Sequence, residues 1–242
     1  MKVTAHAADA TGAASDRDGP LPRLLFVLTV VTGLVDAVSY LALGHVFVAN
    51  MTGNVVFLGF AGAGAHDFSI PASLLAIAAF LVGALAGGRL ASRAGHHRGR
   101  LLAYALLGTS ALIGAALVVA IAATDLGGDP VQYALIVLLA AAMGLQNAVA
   151  RRLAVPDLTT TVLTLTLTGL AADSTLAGGN SPRAGRRLLA TVAMLLGAAV
   201  GALLVLRVGV AAALAPALAL TLLTGVAAYR ESSSAAAWTV GS

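Results

Sequence analysis

Residues 24–43 read LLFVLTVVTGLVDAVSYLAL, a stretch of twenty residues in which Asp36 is the only charged side chain. A helix needs about 20 mostly apolar residues to cross a bilayer. Five further stretches meet this requirement: Pro71–Ser92, Leu101–Thr124, Val131–Ala150, Leu188–Leu206 and Val208–Tyr229. The sequence therefore predicts an all-α polytopic membrane protein with six transmembrane helices.

The composition of the whole chain agrees with this class. Of the 242 residues, 59% are hydrophobic and 10% are charged, whereas soluble globular proteins carry about 25% charged residues. The mean hydropathy is +0.95. These values exclude soluble enzymes, nucleic-acid-binding proteins and disordered proteins. The chain has no cysteine, which excludes disulfides, thiolate metal sites and cysteine nucleophiles.

Two shorter apolar stretches, Val46–Gly64 and Leu158–Ala172, lie between the long ones. The second has 15 residues, six of them threonine, and at about 1.5 Å per residue it is too short to span. We predict that both are re-entrant or half-membrane segments. A model with seven spans, in which the first of them crosses and the amino terminus is external, stays open on charge alone.

Arginine residues predict the orientation. With six spans, 13 of the 14 Lys and Arg residues lie on one side of the membrane and Arg207 alone lies on the other. The positive-inside rule places the basic side in the cytosol. We therefore expect a bacterial cytoplasmic (inner) membrane protein with both termini cytosolic.

Parts of the chain recur in order. GLVDAV at 33–38 matches GLQNAV at 144–149, residues 51–54 match 163–166 loosely, and Gly83/Gly87 match Gly197/Gly201, with offsets of 111, 112 and 114 residues. The alternative is chance similarity among helices rich in Ala, Leu and Gly. The glycine pairs favour close helix packing, between the halves or in a homodimer.

This recurrence predicts two membrane repeats, residues 23–126 and 127–230, between a disordered cytosolic tail, residues 1–22, and a flexible tail, residues 231–242. Each repeat has three spans, so the second is inverted relative to the first. Inverted repeats with short segments in matching positions are typical of transporters, whose sites lie near the bilayer midplane.

The run from Gly33 to Gly59, with Asp36 and Asn50-Met-Thr-Gly-Asn54, resembles the YoaK family of bacterial membrane proteins. So does the run 144–152 with the threonine-rich stretch that follows. The resemblance covers residues 22–230 and implies a multi-pass inner-membrane protein of unknown function. The chain has Thr164-Leu165-Thr166 where the family often has Thr-Gly-Thr. If the family's glycine lets the backbone approach a ligand, the second half of this chain would bind it differently.

Asp36 is the first candidate site residue. A charge inside a span is costly and normally faces the bundle interior or a water-filled cavity, which favours a proton or cation site. The alternative is a carboxyl group bonded to its helix neighbours. Asn50, Thr52 and Asn54 could coordinate an ion or bind a polar solute, and Gly53 allows an unusual turn. Polar contacts between helices would explain them equally.

The second half contributes a similar set. Gln146 and Asn147 occupy the positions equivalent to residues 35 and 36. On a helix, Thr161, Thr164 and Thr168 share a face that could line a polar path, unless their hydroxyls bond to their own helix.

These residues predict a small-solute secondary transporter or permease, with a polar midplane site coupled to protons or cations at Asp36. Its partners are the lipid bilayer and an unknown small solute or ion, without nucleic acid. We expect no catalytic residue, metal or cofactor, because one acid in a span gives no paired catalytic groups. The alternative is a non-transporting scaffold or sensor. A cavity reaching Asp36 and both short stretches would favour transport, and a dry contact would favour the scaffold.

Overall fold

The computed structural model describes residues 18–94, 96–123, 129–156, 163–180, 183–232 and 237–239. Six helices are long and apolar enough to cross a membrane, as the sequence predicts. They are α1 (Leu21–Ala42), α3 (Ile70–Ala94), α4 (Arg98–Ala122), α5 (Asp129–Leu153), α7 (Ala184–Arg207) and α8 (Val210–Ser232). Two shorter helices, α2 (Met51–Gly62) and α6 (Leu163–Ala172), lie between them.

Prolines and glycines mark several helix boundaries. Pro22, Pro71 and Pro130 each lie in the first turn of a long helix, where the missing N–H group has no intrahelical partner to lose. Gly44 and Gly209 follow α1 and α7 with positive φ angles of 85° and 130°. Glycine adopts this left-handed backbone without the penalty of a Cβ atom, so both helices end there.

Contacts between helix termini define the two ends of the bundle. At one end, Arg98 of α4 binds the Asp18 carboxylate at 3.2 Å and the Leu153 carbonyl at 2.7 Å. We call this the Arg98 end; α1 and α4 begin there and α5 finishes there. At the other end, Gly44 packs against Gln132. We call this the Gln132 end, and α1 therefore runs antiparallel to α5.

Both short helices return to the end from which they started. The contacts of Gly83 with Ala141 and of Gly87 with Leu145 show that α3 runs parallel to α5, so α3 begins at the Gln132 end, where α1 finishes. With 12 and 10 residues, α2 and α6 are about 18 and 15 Å long, well short of a hydrocarbon core of about 30 Å. The contacts of Gly33 with Met194 and of Gly201 with Leu34 show likewise that α7 runs parallel to α1, so α7 begins at the Arg98 end, where α5 finishes. Neither short segment crosses the bundle, which agrees with six spans and not with seven.

Glycines let the long helices approach closely at two interfaces. Gly83 of α3 faces the backbone carbonyl of Ala141 on α5, and Gly197 of α7 faces the carbonyl of Val30 on α1. A methyl group at either glycine would overlap that carbonyl. The glycine pairs found in the sequence are thus occupied by contacts within one chain.

The partner residues of these glycines correspond by the same offsets. Gly144 of α5 faces the carbonyl of Phe80, and Gly33 of α1 faces the carbonyl of Met194. Gly33 and Gly144 differ by 111 positions, and Phe80 and Met194 differ by 114. The α3–α5 and α1–α7 interfaces are therefore built from matching positions.

The helices differ in how much of their surface is enclosed. In α1, 72% of the apolar segment is buried, against 22% in α7. Helix α1 packs against α7, α8 and α5, and α4 packs against α5 and α8. The large apolar side chains that α7 leaves exposed, such as Leu195 and Leu203, face the lipid bilayer.

Residues from the two predicted tails meet at the Arg98 end of the bundle. Helix α1 already begins at Leu21, and Asp18 is ion-paired with Arg98. Trp238 is 5% exposed because its indole fills the space beside Gly19 and Gly99. Residues 1–17 and most of the segment after Ser232 lie outside the described residues.

Candidate functional site

Asp36 holds the segment that leads into α2. One carboxylate oxygen, Oδ1, accepts the backbone N–H groups of Val48 at 3.2 Å and Ala49 at 2.9 Å. The other, Oδ2, accepts the side-chain amide of Asn50. Asp36 is 4% exposed. The carboxylate therefore satisfies backbone donors in a non-helical segment, as such a segment requires when it lies at membrane depth.

Asn54 supports the same segment from the other side. Its Oδ1 accepts the Phe47 N–H at 2.9 Å, and its Nδ2 donates to the Phe47 carbonyl at 2.6 Å. The Asn54 side chain is fully buried. Asp36, Asn50 and Asn54 thus lie together, as predicted, around residues 47–50.

The other two residues predicted in the first short stretch have different surroundings. Thr52 is exposed. Gly53 lies against the ring of Phe47, where a larger side chain would clash. That ring stacks between Tyr40, at 5.1 Å between centroids, and Phe57, at 5.8 Å. Gly53 therefore makes room for an aromatic stack beside the polar cluster.

Gln146 lies where α1 and α5 cross. It is 2% exposed, and its Nε2 donates to the Thr32 hydroxyl at 3.1 Å. Among the described residues, the Oε1 atom of Gln146 and the hydroxyls of Thr109 and Ser110 on α4 are buried without a hydrogen-bond partner. Such atoms are rare in native proteins, and each needs an explanation.

Thr109 and Gln146 lie at the same height in the bundle. The preceding residues, Gly108 and Leu145, are in direct contact across the α4–α5 interface. We call Thr32, Thr109, Ser110 and Gln146 the central polar layer. Of these four residues, the sequence analysis identified only Gln146. The occurrence of two adjacent hydroxyl residues, Thr109 and Ser110, inside an apolar span could have pointed to the α4 part of the layer.

Asn147 is separated from the Asp36 cluster. It is half-buried, and its Nδ2 donates to the Met143 carbonyl of its own helix at 2.9 Å. It borders a groove of about 1020 Å³ between α3 and α5. Asp36 is not among the described residues that line this groove. The two equivalent positions therefore have different environments: an enclosed one at Asp36 and an open one at Asn147.

The threonine-rich stretch is only partly described. Thr161 lies outside the described residues. On α6, Thr166 is 8% exposed, whereas Thr164 and Thr168 are exposed. The threonine that faces the bundle is therefore Thr166, which the predicted set omits.

An arginine fixes the C-terminal end of α6. Arg187 of α7 is 8% exposed and donates to the Gly169 carbonyl and to the Asp173 carboxylate, the latter at 2.6 Å. A cation beside the last carbonyls of a helix stabilises that end. The second short helix is thus held by the Arg187 guanidinium, whereas the segment before the first is held by the Asp36 carboxylate and the Asn54 amide.

Comparison with known proteins agrees with the resemblance read from the motifs. Residues 24–227 match the family model described as "Protein of unknown function (DUF1275)". The UPF0700 transmembrane protein YoaK of Bacillus subtilis (strain 168) is 34% identical over 150 residues. That alignment covers 62% of this chain and 65% of the relative, so the chain spans about two thirds of the relative's length. No solved structure matches. Because the family model covers most of the chain, including both short helices and the central polar layer, the chain belongs to the DUF1275 family of proteins of unknown function.

Proposed function

We propose that this protein is a small-solute permease of the bacterial cytoplasmic membrane, built from two inverted repeats, rather than an enzyme. The observation that carries the proposal is the correspondence of the glycine contacts. Gly33 and Gly144 face carbonyls of Met194 and Phe80, and both pairs obey the offsets found in the sequence. Chance similarity between apolar helices would not preserve contacts in this way.

The directions of the helices support inversion of the repeats. Helix α1 runs from the Arg98 end to the Gln132 end, and its counterpart α5 runs the opposite way. Each repeat contains one short helix that enters and leaves at a single end. Inverted repeats with discontinuous segments are the architecture in which alternating access operates, with the solute bound between the repeats.

The central polar layer is the proposed solute site. Its unpartnered oxygens, on Thr109, Ser110 and Gln146, are buried in the described part of the chain. A buried polar atom without a partner costs about 1–3 kcal/mol, which a bound polar solute or ion would recover. The layer offers hydroxyl and carbonyl oxygens and contains no basic residue, so it suits a small neutral or cationic solute.

Asp36 would couple transport to protons or cations. It lies four residues after Thr32 on the same helix, so both side chains share one face of α1. Opening of the segment 47–50 would free the carboxylate from its three donors and expose it. This movement would link the charge of Asp36 to access from the Gln132 end.

A non-transporting scaffold or sensor is the second candidate. The enclosure of Asp36 favours it, since the carboxylate is satisfied by Val48, Ala49 and Asn50. In that case the central polar layer is dry and static. The two functions therefore differ in whether water reaches the layer.

Single-cysteine variants test this difference, because the chain has no native cysteine. A water-soluble maleimide reacts with the thiolate, which forms only where water reaches the sulfur. We expect Thr109→Cys, in protein reconstituted into liposomes, to react at least about tenfold faster than Ile113→Cys. Ile113 lies one turn along α4 and is fully buried among apolar side chains, so it is the matched control. Equal and negligible rates at both positions would favour the scaffold.

A further inference from the structure

The groove between α3 and α5 has the shape of a site for an elongated molecule. Its volume of about 1020 Å³ is at the upper end of the range for small-molecule sites. The α3 wall runs from Phe80, near the middle of that helix, to Ser92, close to its end. At 1.5 Å per residue this is about 18 Å, close to the hydrocarbon depth of one leaflet, about 15 Å.

The wall of the groove is largely apolar, and the groove is wide enough for an acyl chain. Phe80, Ala84, Gly88 and Ala91 line it on α3, and Ala148 lines it on α5. A methyl group added at Gly88 would have no atom within 4 Å. The surface beside Gly88 is therefore open.

Two positively charged side chains lie at one end of the groove. Arg151 and Arg152 line it in the last turn of α5, and both are exposed. Within the described part of the chain, neither is paired with a carboxylate. A basic pair at the end of a transmembrane helix, beside an apolar channel, matches the two halves of an anionic phospholipid.

We propose that this groove binds one anionic phospholipid, with the phosphate on Arg151 and Arg152 and an acyl chain along Phe80, Ala84 and Gly88. The bound lipid covers the face of α5 on which Asn147 lies. The proposal is independent of transport, because it needs only the groove and the membrane environment.

The test measures the thermal stability of the detergent-purified full chain as phosphatidylglycerol or phosphatidylcholine with the same acyl chains is added. A ligand that binds the folded state raises the Tm, and at a given ligand concentration the shift grows with the logarithm of its affinity. We expect phosphatidylglycerol to raise the Tm more than phosphatidylcholine does. In Arg151→Gln/Arg152→Gln its affinity should fall roughly 30-fold, since each basic side chain near a lipid surface contributes about a factor of five.

The matched control is Arg23→Gln/Arg100→Gln, which removes two exposed arginines from the same end of the bundle but outside the groove. This variant should bind phosphatidylglycerol like the unmodified chain. An equal loss in the control would show general electrostatic attraction and overturn the site. Equal shifts by the two lipids in the unmodified chain would overturn it as well.

A second variant tests the acyl-chain part without changing charge. Gly88→Leu fills the groove, and Gly59→Leu adds the same side chain on α2, where there is also open space. Only the first should weaken phosphatidylglycerol binding, by about tenfold or more. Glycerol 3-phosphate, added at the same concentrations as the lipid, should cause no shift in the Tm. A shift as large as that of the lipid would identify a soluble phosphate ester as the ligand and contradict the proposal.

Discussion

The segment after α1 and the segment after α5 begin from equivalent helices and differ in how they are held. After α1, residues 48–50 donate to the Asp36 carboxylate, and the ring of Phe47 stacks between Tyr40 and Phe57. After α5, Asn147 borders a groove, and Arg187 secures the far end of α6. Ser73 lies 114 positions before Arg187, at the offset of the glycine pairs.

This contrast separates two properties of the chain. The α1–α7 and α3–α5 interfaces are alike because glycines at matching positions determine how closely the helices approach. The chemistry around residues 36 and 147 differs because a carboxylate accepts several N–H groups at once, whereas an asparagine offers one acceptor and one donor group. The two regions therefore resemble each other in helix packing and differ in their polar contacts.

The largest difference between the halves should appear on truncation of these two residues. Asp36→Ala leaves two buried backbone donors and the half-buried Asn50 amide without an acceptor. Each buried donor costs about 1–3 kcal/mol, so we expect a loss of about 3 kcal/mol. Asn147→Ala should cost about 1 kcal/mol or less, because this residue is half-buried beside an open groove. Reversible unfolding in mixed micelles measures both. Similar losses would mean that the Asp36 contacts do not hold the segment.

Much of the fold could be predicted from the sequence for simple physical reasons. Span length and the sign of loop charges are additive properties of the chain, so the six helices and the two short segments were predictable. The set of Asp36, Asn50 and Asn54 was also predictable, because polar groups at membrane depth must find hydrogen-bond partners within the protein.

The placement of the second polar set was less predictable. Thr164, Thr166 and Thr168 alternate along the sequence, and only the packing of α6 against α7 determines that Thr166 faces inward. Likewise, the sequence around Thr109 and Ser110 is that of any apolar helix, in which such hydroxyls commonly bond to carbonyls of their own helix. Their lack of partners is a property of the packed bundle and not of α4 alone.

Glycine substitutions test the likeness of the halves. Gly33→Ala and Gly144→Ala each push a methyl group into a carbonyl of the neighbouring helix, and overpacking of this kind typically costs about 1–3 kcal/mol. We expect the two losses to agree within about 0.5 kcal/mol in the same unfolding assay.

Gly59→Ala is the control for those two variants, since a methyl group there meets open space. It should leave stability unchanged or raise it by up to about 1 kcal/mol through helix propensity. A large loss at Gly33 with none at Gly144 would break the correspondence of the two interfaces and, with it, the main support for inverted repeats.

The smallest effect concerns the direction of a single hydrogen bond. In Asp36→Asn the new amide can still accept from Val48 and Ala49 through its oxygen, but these bonds lose the charge of the acceptor. Its nitrogen faces the Asn50 amide, which must turn over to accept a hydrogen bond. We expect a loss of about 1–2 kcal/mol. Adding Asn50→Asp returns an acceptor to the pair and should restore most of it.

This exchange also separates structure from coupling. The double variant keeps one carboxylate in the cluster but moves it from α1 to the segment that covers it. If Asp36 couples transport to protons, the double variant should be as stable as the unmodified chain yet show altered pH dependence of uptake in liposomes. If the carboxylate only holds residues 47–50 in place, restoring the hydrogen bond should restore stability and leave any pH dependence as it was. A double variant no more stable than Asp36→Asn alone would show that the contact with Asn50 does not hold the segment.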